Sequence, residues 1–220
     1  MSTIRASIKA RGVYFYSVSA PDAPSAVIVN DARVFRERDK SSSVEYTADL
    51  IIFHELGHCV TKDKLKKIYV DSKRELFPAL VLKESFACYY SYLCLSNLYS
   101  IYDESDDLKS EIVDDLNFFV DCAKESVSYY SKEDGYSFLL SPTDIGNIVG
   151  QILVNCKPFI DTLDENAKND VFSSCSAPAF AQKLYNFSCE HLQLLSQESI
   201  NPDQISDYCK KFDIIFDTSE

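Results

Sequence analysis

The sequence predicts an α+β fold that is mostly helical, with a small N-terminal antiparallel sheet followed by helices. Residues 12–18 and 25–30 are rich in β-branched and aromatic side chains, which is typical of two short strands. From about residue 44 onward, apolar residues recur at helical spacing. An apolar content of 46% and a charged content of 25% are ordinary globular values, so the chain can bury a sizeable core.

The first predicted helix, residues 44–61, carries the motif His54-Glu55-Leu56-Gly57-His58. Positions four residues apart lie on one face of a helix about one turn apart, so both imidazoles can reach one metal ion. Glu55 then lies near the open side of that ion, where zinc peptidases place a general base. Two solvated histidines on a surface helix are the alternative. The apolar residues around the motif predict a buried helix instead, in which unpartnered polar groups would be costly.

The second predicted helix, residues 77–100, begins near Pro78, which suits a first helical turn. A catalytic zinc site needs a third protein ligand, and Glu84 on this helix is the candidate. Glu84 shares a helix face with Ala87 and Cys88, so this face is small apart from the carboxylate. Such a face can press against the motif helix. An ordinary exposed carboxylate is the alternative for Glu84, and its apolar neighbours argue against it.

These two helices resemble the ImmA/IrrE family of metallopeptidases, a gluzincin-type group. In that family a short sheet is followed by HE(L/F)GH and then by a helix with E-x-x-A-x-x-(F/Y)-(A/S). This chain carries Glu84-Ser85-Phe86-Ala87-Cys88-Tyr89-Tyr90-Ser91 in the second place. The likeness covers about residues 10–100. It departs at Cys88, where the family often has Asn or a charged residue, and in lacking the hydrophobic-Met-Pro ending of the second helix.

The resemblance implies a zincin-like catalytic domain over residues 1–102, in which the sheet packs on a two-helix metal site. The expected function is that of a zinc-dependent endopeptidase that hydrolyses a peptide bond in a protein or peptide substrate. One Zn²⁺ per chain would be held by His54, His58 and Glu84, with Glu55 as the general base. Two alternatives stay open: a zinc protease effector delivered into a host cell, and a zinc-fold binding or sensor module that does not cut. The intact Glu55 argues against the binding module.

Three further residues are weaker candidates for stabilising the transition state. His191 is the only histidine outside the motif, and a distant histidine can serve as an oxyanion donor, although a single histidine on a helix is more often structural. Tyr89 and Tyr90 lie close to Glu84 in sequence and could donate instead. Tyr90 matches the aromatic position of the family motif, which indicates packing.

Residues 103–220 are predicted to form a helical C-terminal region, which could belong to the same domain. The acidic run Asp103–Asp107 is the best candidate boundary. Apolar residues at helical spacing begin at Leu108. Ser141 followed by Pro142 predicts a helix N-terminus. Two more helices are expected over residues 179–195 and 201–212.

The net charge of −12 disfavours nucleic acid and anionic membranes as partners. No apolar run approaches the length of a membrane helix, and the N-terminus lacks the apolar region of a secretory signal. The eight cysteines are scattered without a C-x-x-C pair, which favours reduced, buried thiols and a cytoplasmic location. Delivery into a host cell by a route that needs no signal peptide remains the alternative. The sequence leaves the oligomeric state open.

Overall fold

The computed structural model describes residues 12–15, 26–29, 44–65, 73–99, 108–130 and 141–216. Strands β1 (Gly12–Phe15) and β2 (Ala26–Val29) pair antiparallel, with Gly12 opposite Val29. The α-helices are α1 (Val44–Leu65), α2 (Lys73–Tyr99), α3 (Leu108–Tyr130), α4 (Pro142–Gln151), α5 (Lys157–Thr162), α6 (Glu165–Ser173), α7 (Pro178–Leu195) and α8 (Pro202–Phe216).

The predicted α+β class is wrong, because the described part of the chain is almost entirely helical. Within these residues, strand geometry is confined to the four-residue segments β1 and β2, and no further strand joins them. A two-stranded pair of this length is only marginally stable by itself and provides no layer for a core. The buried apolar side chains instead come from α2 to α8 and their connections, from Phe77 to Phe216. The fold class is therefore mainly α.

The helix bounds refine several predictions. Helix α2 begins at Lys73, so Pro78 lies inside the helix. The prediction that Pro78 stands in the first helical turn is therefore wrong. The flanking Phe77 and Ala79 are buried, and their packing offsets the hydrogen bond that the proline cannot make. Helices at the predicted places of α3, α7 and α8 are confirmed. Helix α6 was not predicted, and the proposed boundary Asp103–Asp107 lies outside the described residues.

The N-terminus of α4 has the predicted cap. The Ser141 side chain accepts a hydrogen bond from the Asp144 backbone N–H, and the Asp144 carboxylate accepts one from the Ser141 N–H at 2.7 Å. This reciprocal pair is a capping box, and it fixes where α4 starts. The chain then passes from α4 into α5 through a π-helical turn, Ile152–Cys156. Pro158 has no N–H to donate to the preceding turn. The π-helical turn, which is wider than an α-helical one, accommodates this proline without interrupting the helical segment.

Helix α2 makes two contrasting kinds of packing contact. In the first, α1 and α4 approach α2 through Gly57, Gly146 and Gly150, and we call this contact the glycine junction. In the second, α2 packs against α7 and α8 in an aromatic core, which consists of Phe77, Phe187, His191, Tyr208, Phe212 and Phe216. Among the described residues, none of the helices combines the length and the apolar character that a membrane span requires.

Candidate metal centre

Helix α1 places His54 and His58 one turn apart with their ring nitrogens facing each other. The two Nε2 atoms are 3.2 Å apart, and the rings meet edge to face. Helix α2 brings Glu84 to the same point. Its Oε2 lies 3.2 Å from Nε2 of His54, and its Oε1 lies 3.5 Å from Nε2 of His58. The structure thus brings together the three residues that the sequence predicts as ligands.

His54, His58 and Glu84 could hold a metal ion, since one ligand atom from each lies within 4.8 Å of the others. Two imidazoles and a carboxylate are the donor set of several catalytic zinc sites. Zinc–ligand bonds of 2.0–2.1 Å in a tetrahedron place ligand atoms about 3.3–3.4 Å apart. The distance of 3.2 Å between the two Nε2 atoms, and that of 3.2 Å between Nε2 of His54 and Oε2 of Glu84, are close to that spacing. The nearest oxygen to Nε2 of His58 is the other one, Oε1, at 3.5 Å. The side chains are 17, 19 and 20% exposed, so the cluster can be reached from solvent.

The electrostatics of the cluster keep its donors available to a cation. Burial lowers the pKa of His58 to about 4, although the charge of Glu84 opposes this shift. At neutral pH the imidazole of His58 is therefore uncharged, with a lone pair free for coordination. Burial alone would raise the pKa of Glu84, but the hydrogen bond with His54 and the nearby His58 hold that pKa below its ordinary value. The carboxylate is ionised, as a ligand must be.

Gly57, inside the motif, explains how α1 comes close enough to α2. A Cβ on Gly57 would lie 2.7 Å from the Cα of Ala87, closer than real side chains come. Glycine inside a helix costs about 1 kcal/mol relative to alanine, so the close approach supplies the packing reason for it. The Ser91 hydroxyl joins the same two helices by donating to the Leu50 carbonyl at 2.8 Å.

Helix α4 also reaches the cluster, which the sequence reasoning missed. Thr143 Oγ1 donates to Oε2 of Glu84 at 2.9 Å. Cys88 Sγ donates to Oδ1 of Asn147 at 3.1 Å and lies 3.5 Å from Nδ1 of His54. Burial raises the pKa of the Cys88 thiol well above its ordinary value, so the thiol keeps its proton. The glycine spacing in α4 is the sequence signal that could have revealed this contact.

The remaining predicted site residues lie in different surroundings. Glu55 is on α1 beside His54, and its side chain is buried, at 7% exposure. Tyr89 and Tyr90 are half-buried, pack against the hydrophobic core, and have ring centroids 5.7 Å apart. His191 is buried in the aromatic core, with Nδ1 3.0 Å from the Phe187 carbonyl and Nε2 3.1 Å from the Tyr208 hydroxyl. Both ring nitrogens of His191 are thus occupied by the protein itself.

Comparison with protein-family models finds no match for this chain, and comparisons with curated proteins and with solved structures find none either. The function is therefore argued from the site. The eight cysteines are all in the thiol form and not in disulfides, and each lies in or next to a helix.

Proposed function

We propose that this protein is a zinc-dependent endopeptidase of the ImmA/IrrE type that hydrolyses a peptide bond in a protein or peptide substrate. One observation carries the proposal. Two histidines and a glutamate from neighbouring helices converge at ligand spacing, and a second glutamate, Glu55, directly follows the first histidine in the chain. A site built only to store a metal would not need that carboxylate. Eight scattered cysteines in the thiol form favour a reducing, cytoplasmic setting.

The residues divide the chemistry between them. His54, His58 and Glu84 would hold the ion. When bound, zinc polarises the scissile carbonyl and makes water a better nucleophile at neutral pH. The Glu55 carboxylate takes a proton from the attacking water as the C–O bond forms. It then returns that proton to the leaving amine as the C–N bond breaks.

The Glu55→Gln variant tests this division. The amide keeps the size of the carboxylate but cannot accept the proton, and loss of a general base costs roughly 10²–10⁴-fold in rate. Zinc-loaded wild type and variant are incubated with a mixture of random N-acetylated peptides, and new N-termini are counted by mass spectrometry. We expect wild type to cleave and Glu55→Gln to lose that cleavage while retaining about one zinc per chain.

Glu198→Gln is the matched control, because it makes the same chemical change at an exposed position near the C-terminal end of α7. It should cleave as wild type does. Glu55→Gln also serves as a trap: partners crosslinked to it are offered to wild type for cleavage. The peptidase proposal fails if zinc-loaded wild type leaves both the peptides and the trapped partners intact. That result would favour a binding module.

A further inference from the structure

Helix α4 presents one face to α2 that combines small residues with hydrogen-bonding ones. Thr143, Gly146, Asn147 and Gly150 follow one another at intervals of three, one and three residues, which is the spacing of a single helix face. A Cβ on Gly146 would lie 2.8 Å from the backbone carbon and the Cβ of Glu84. A Cβ on Gly150 would lie 2.9 Å from the Cβ of Cys88. The glycines therefore hold α4 at the distance from which Thr143 and Asn147 can reach the ligand helix.

One hydrogen bond made by this face reaches a proposed metal ligand directly. Thr143 Oγ1 donates to Oε2 of Glu84 at 2.9 Å. The carboxylate thereby loses rotational freedom around its last bond, which orders both of its oxygens toward the histidines.

The second contact runs through a thiol. Cys88 has one S–H, and it donates to Oδ1 of Asn147 at 3.1 Å. The sulfur then has its lone pairs left for Nδ1 of His54, 3.5 Å away. If Nε2 of His54 held the ion, the ring proton would be on Nδ1, and the Cys88 sulfur would accept it in a hydrogen bond. Asn147 would thus help to hold His54 in its coordinating orientation without touching it.

We propose that Thr143 and Asn147 are positioning residues for the metal centre: Thr143 orients Glu84, and Asn147 orients the Cys88 thiol, whose sulfur holds the Nδ1–H of zinc-bound His54. This inference rests on the proposed function only in taking His54, His58 and Glu84 as zinc ligands. It deepens that function, because it makes the helical C-terminal region a part of the metal site. Partners of this outer kind typically contribute 10–100-fold to metal affinity.

The first test measures the zinc dissociation constant by competition with a chromogenic chelator. Thr143→Val keeps the shape of the side chain and removes the hydroxyl, and Asn147→Leu keeps the approximate volume and removes the acceptor. We expect each to weaken zinc binding by roughly 10–100-fold. Thr143→Ser restores the hydroxyl and should recover wild-type affinity. Asn155→Leu, at an exposed position in the π turn that follows α4, is the control and should change nothing.

The second test reads the Cys88 contact in the zinc-loaded wild type by nitrogen-15 NMR. The Nδ1–H of His54 should be visible and slow to exchange with water, because the Cys88 sulfur accepts it. In Asn147→Leu that exchange should be faster.

The outcomes separate the two proposals. Wild-type zinc affinity in both Thr143→Val and Asn147→Leu, or equally fast exchange of the His54 Nδ1–H in wild type and Asn147→Leu, overturns the positioning role and leaves the peptidase proposal standing. If the variants bind zinc more weakly but wild type cleaves no peptide, the positioning role is supported and the peptidase proposal is overturned. A wild type that binds no zinc overturns both.

Discussion

Helix α2 is packed by small residues in the glycine junction and by large aromatic rings in the aromatic core. In the glycine junction, α1 and α4 come so close to α2 that an added Cβ at Gly57 or Gly146 would lie within 2.7–2.8 Å of its backbone. In the aromatic core, large rings fill the space, and Phe212 stacks on Phe216 with centroids 4.6 Å apart. Small residues bring polar side chains from three helices to one point, whereas large ones only exclude water.

The histidines of the two regions make the same contrast. Burial lowers the pKa of both His58 and His191 to about 4. His191 is fully satisfied, because one ring nitrogen meets the Phe187 carbonyl and the other the Tyr208 hydroxyl. His58 instead faces His54 and Glu84, so two ring nitrogens and a carboxylate converge on one point. Burial alone therefore does not indicate a metal ligand, whereas convergence of ligand atoms does.

The largest stability effect is expected in the aromatic core. Phe212 is fully buried, and truncation of such a ring to alanine typically costs 3–5 kcal/mol. Phe212→Ala should lose that much free energy of unfolding in urea titrations, while the molecules that remain folded still bind one zinc. Ile214→Ala on the same helix is the control, because Ile214 is 68% exposed and should cost little. Loss of zinc from folded Phe212→Ala would contradict the separation of the two regions.

The next effect is a pH dependence that originates in the aromatic core. His191 has a pKa of about 4 when folded and about 6.5 when unfolded, so the unfolded chain binds more protons between these values. Stability therefore falls as pH is lowered from 6.5 to 4, by about 3 kcal/mol over the full span. His191→Phe should flatten this slope in zinc-free protein.

His58 titrates over the same pH range and also contributes to the dependence of stability on pH. The His58→Ala variant is therefore measured alongside, to identify the contribution of His58. His191→Phe should also lower stability at neutral pH, because the Tyr208 hydroxyl loses its acceptor. An unchanged slope in His191→Phe would show that His191 is not held neutral by its burial.

The smallest effect is expected for Gly146→Ala in the glycine junction, where close packing opposes the gain in helix propensity. Gly146→Ala would add about 1 kcal/mol of helix propensity if the space were open. The new methyl would instead press on Glu84 at 2.8 Å, so we expect a net loss of roughly 1–3 kcal/mol and weaker zinc binding. Thermal unfolding and chelator competition measure the two effects. Asn155→Ala, exposed in the π turn, is the matched control, and a stabilised Gly146→Ala would refute the close packing.

The local part of the site followed from the sequence, and the long-range part did not. His54 and His58 come together because both lie on one helix face, and the small face around Glu84 indicated which helix would meet them. Thr143 lies 59 residues after its partner Glu84, and periodicity within a helix says nothing about the register between distant helices. Only Gly146 and Gly150, four residues apart, indicate that α4 packs closely on a neighbour.

The predicted fold class failed for a related reason. Residues 12–18 and 25–30 do have strand propensity, and strands form at Gly12–Phe15 and Ala26–Val29. Propensity gives local geometry but not the size of a sheet, and the pair is too short to form a layer. Helix α6 was missed because its residues Glu165–Ser173 are mostly polar, so it lacks the apolar repeat that marks a helix in sequence.

The central claim is that the ligand atoms of His54, His58 and Glu84, brought together at the glycine junction, form a zinc site. X-ray absorption at the zinc edge tests this claim most directly. The account predicts one zinc per chain, two imidazole scatterers and otherwise only nitrogen or oxygen donors near 2.0–2.1 Å. The His58→Ala variant should lose the site. A sulfur scatterer at about 2.3 Å would place Cys88 on the metal and contradict its role as a link between Asn147 and His54. Absence of stoichiometric zinc from carefully loaded protein would contradict the account altogether.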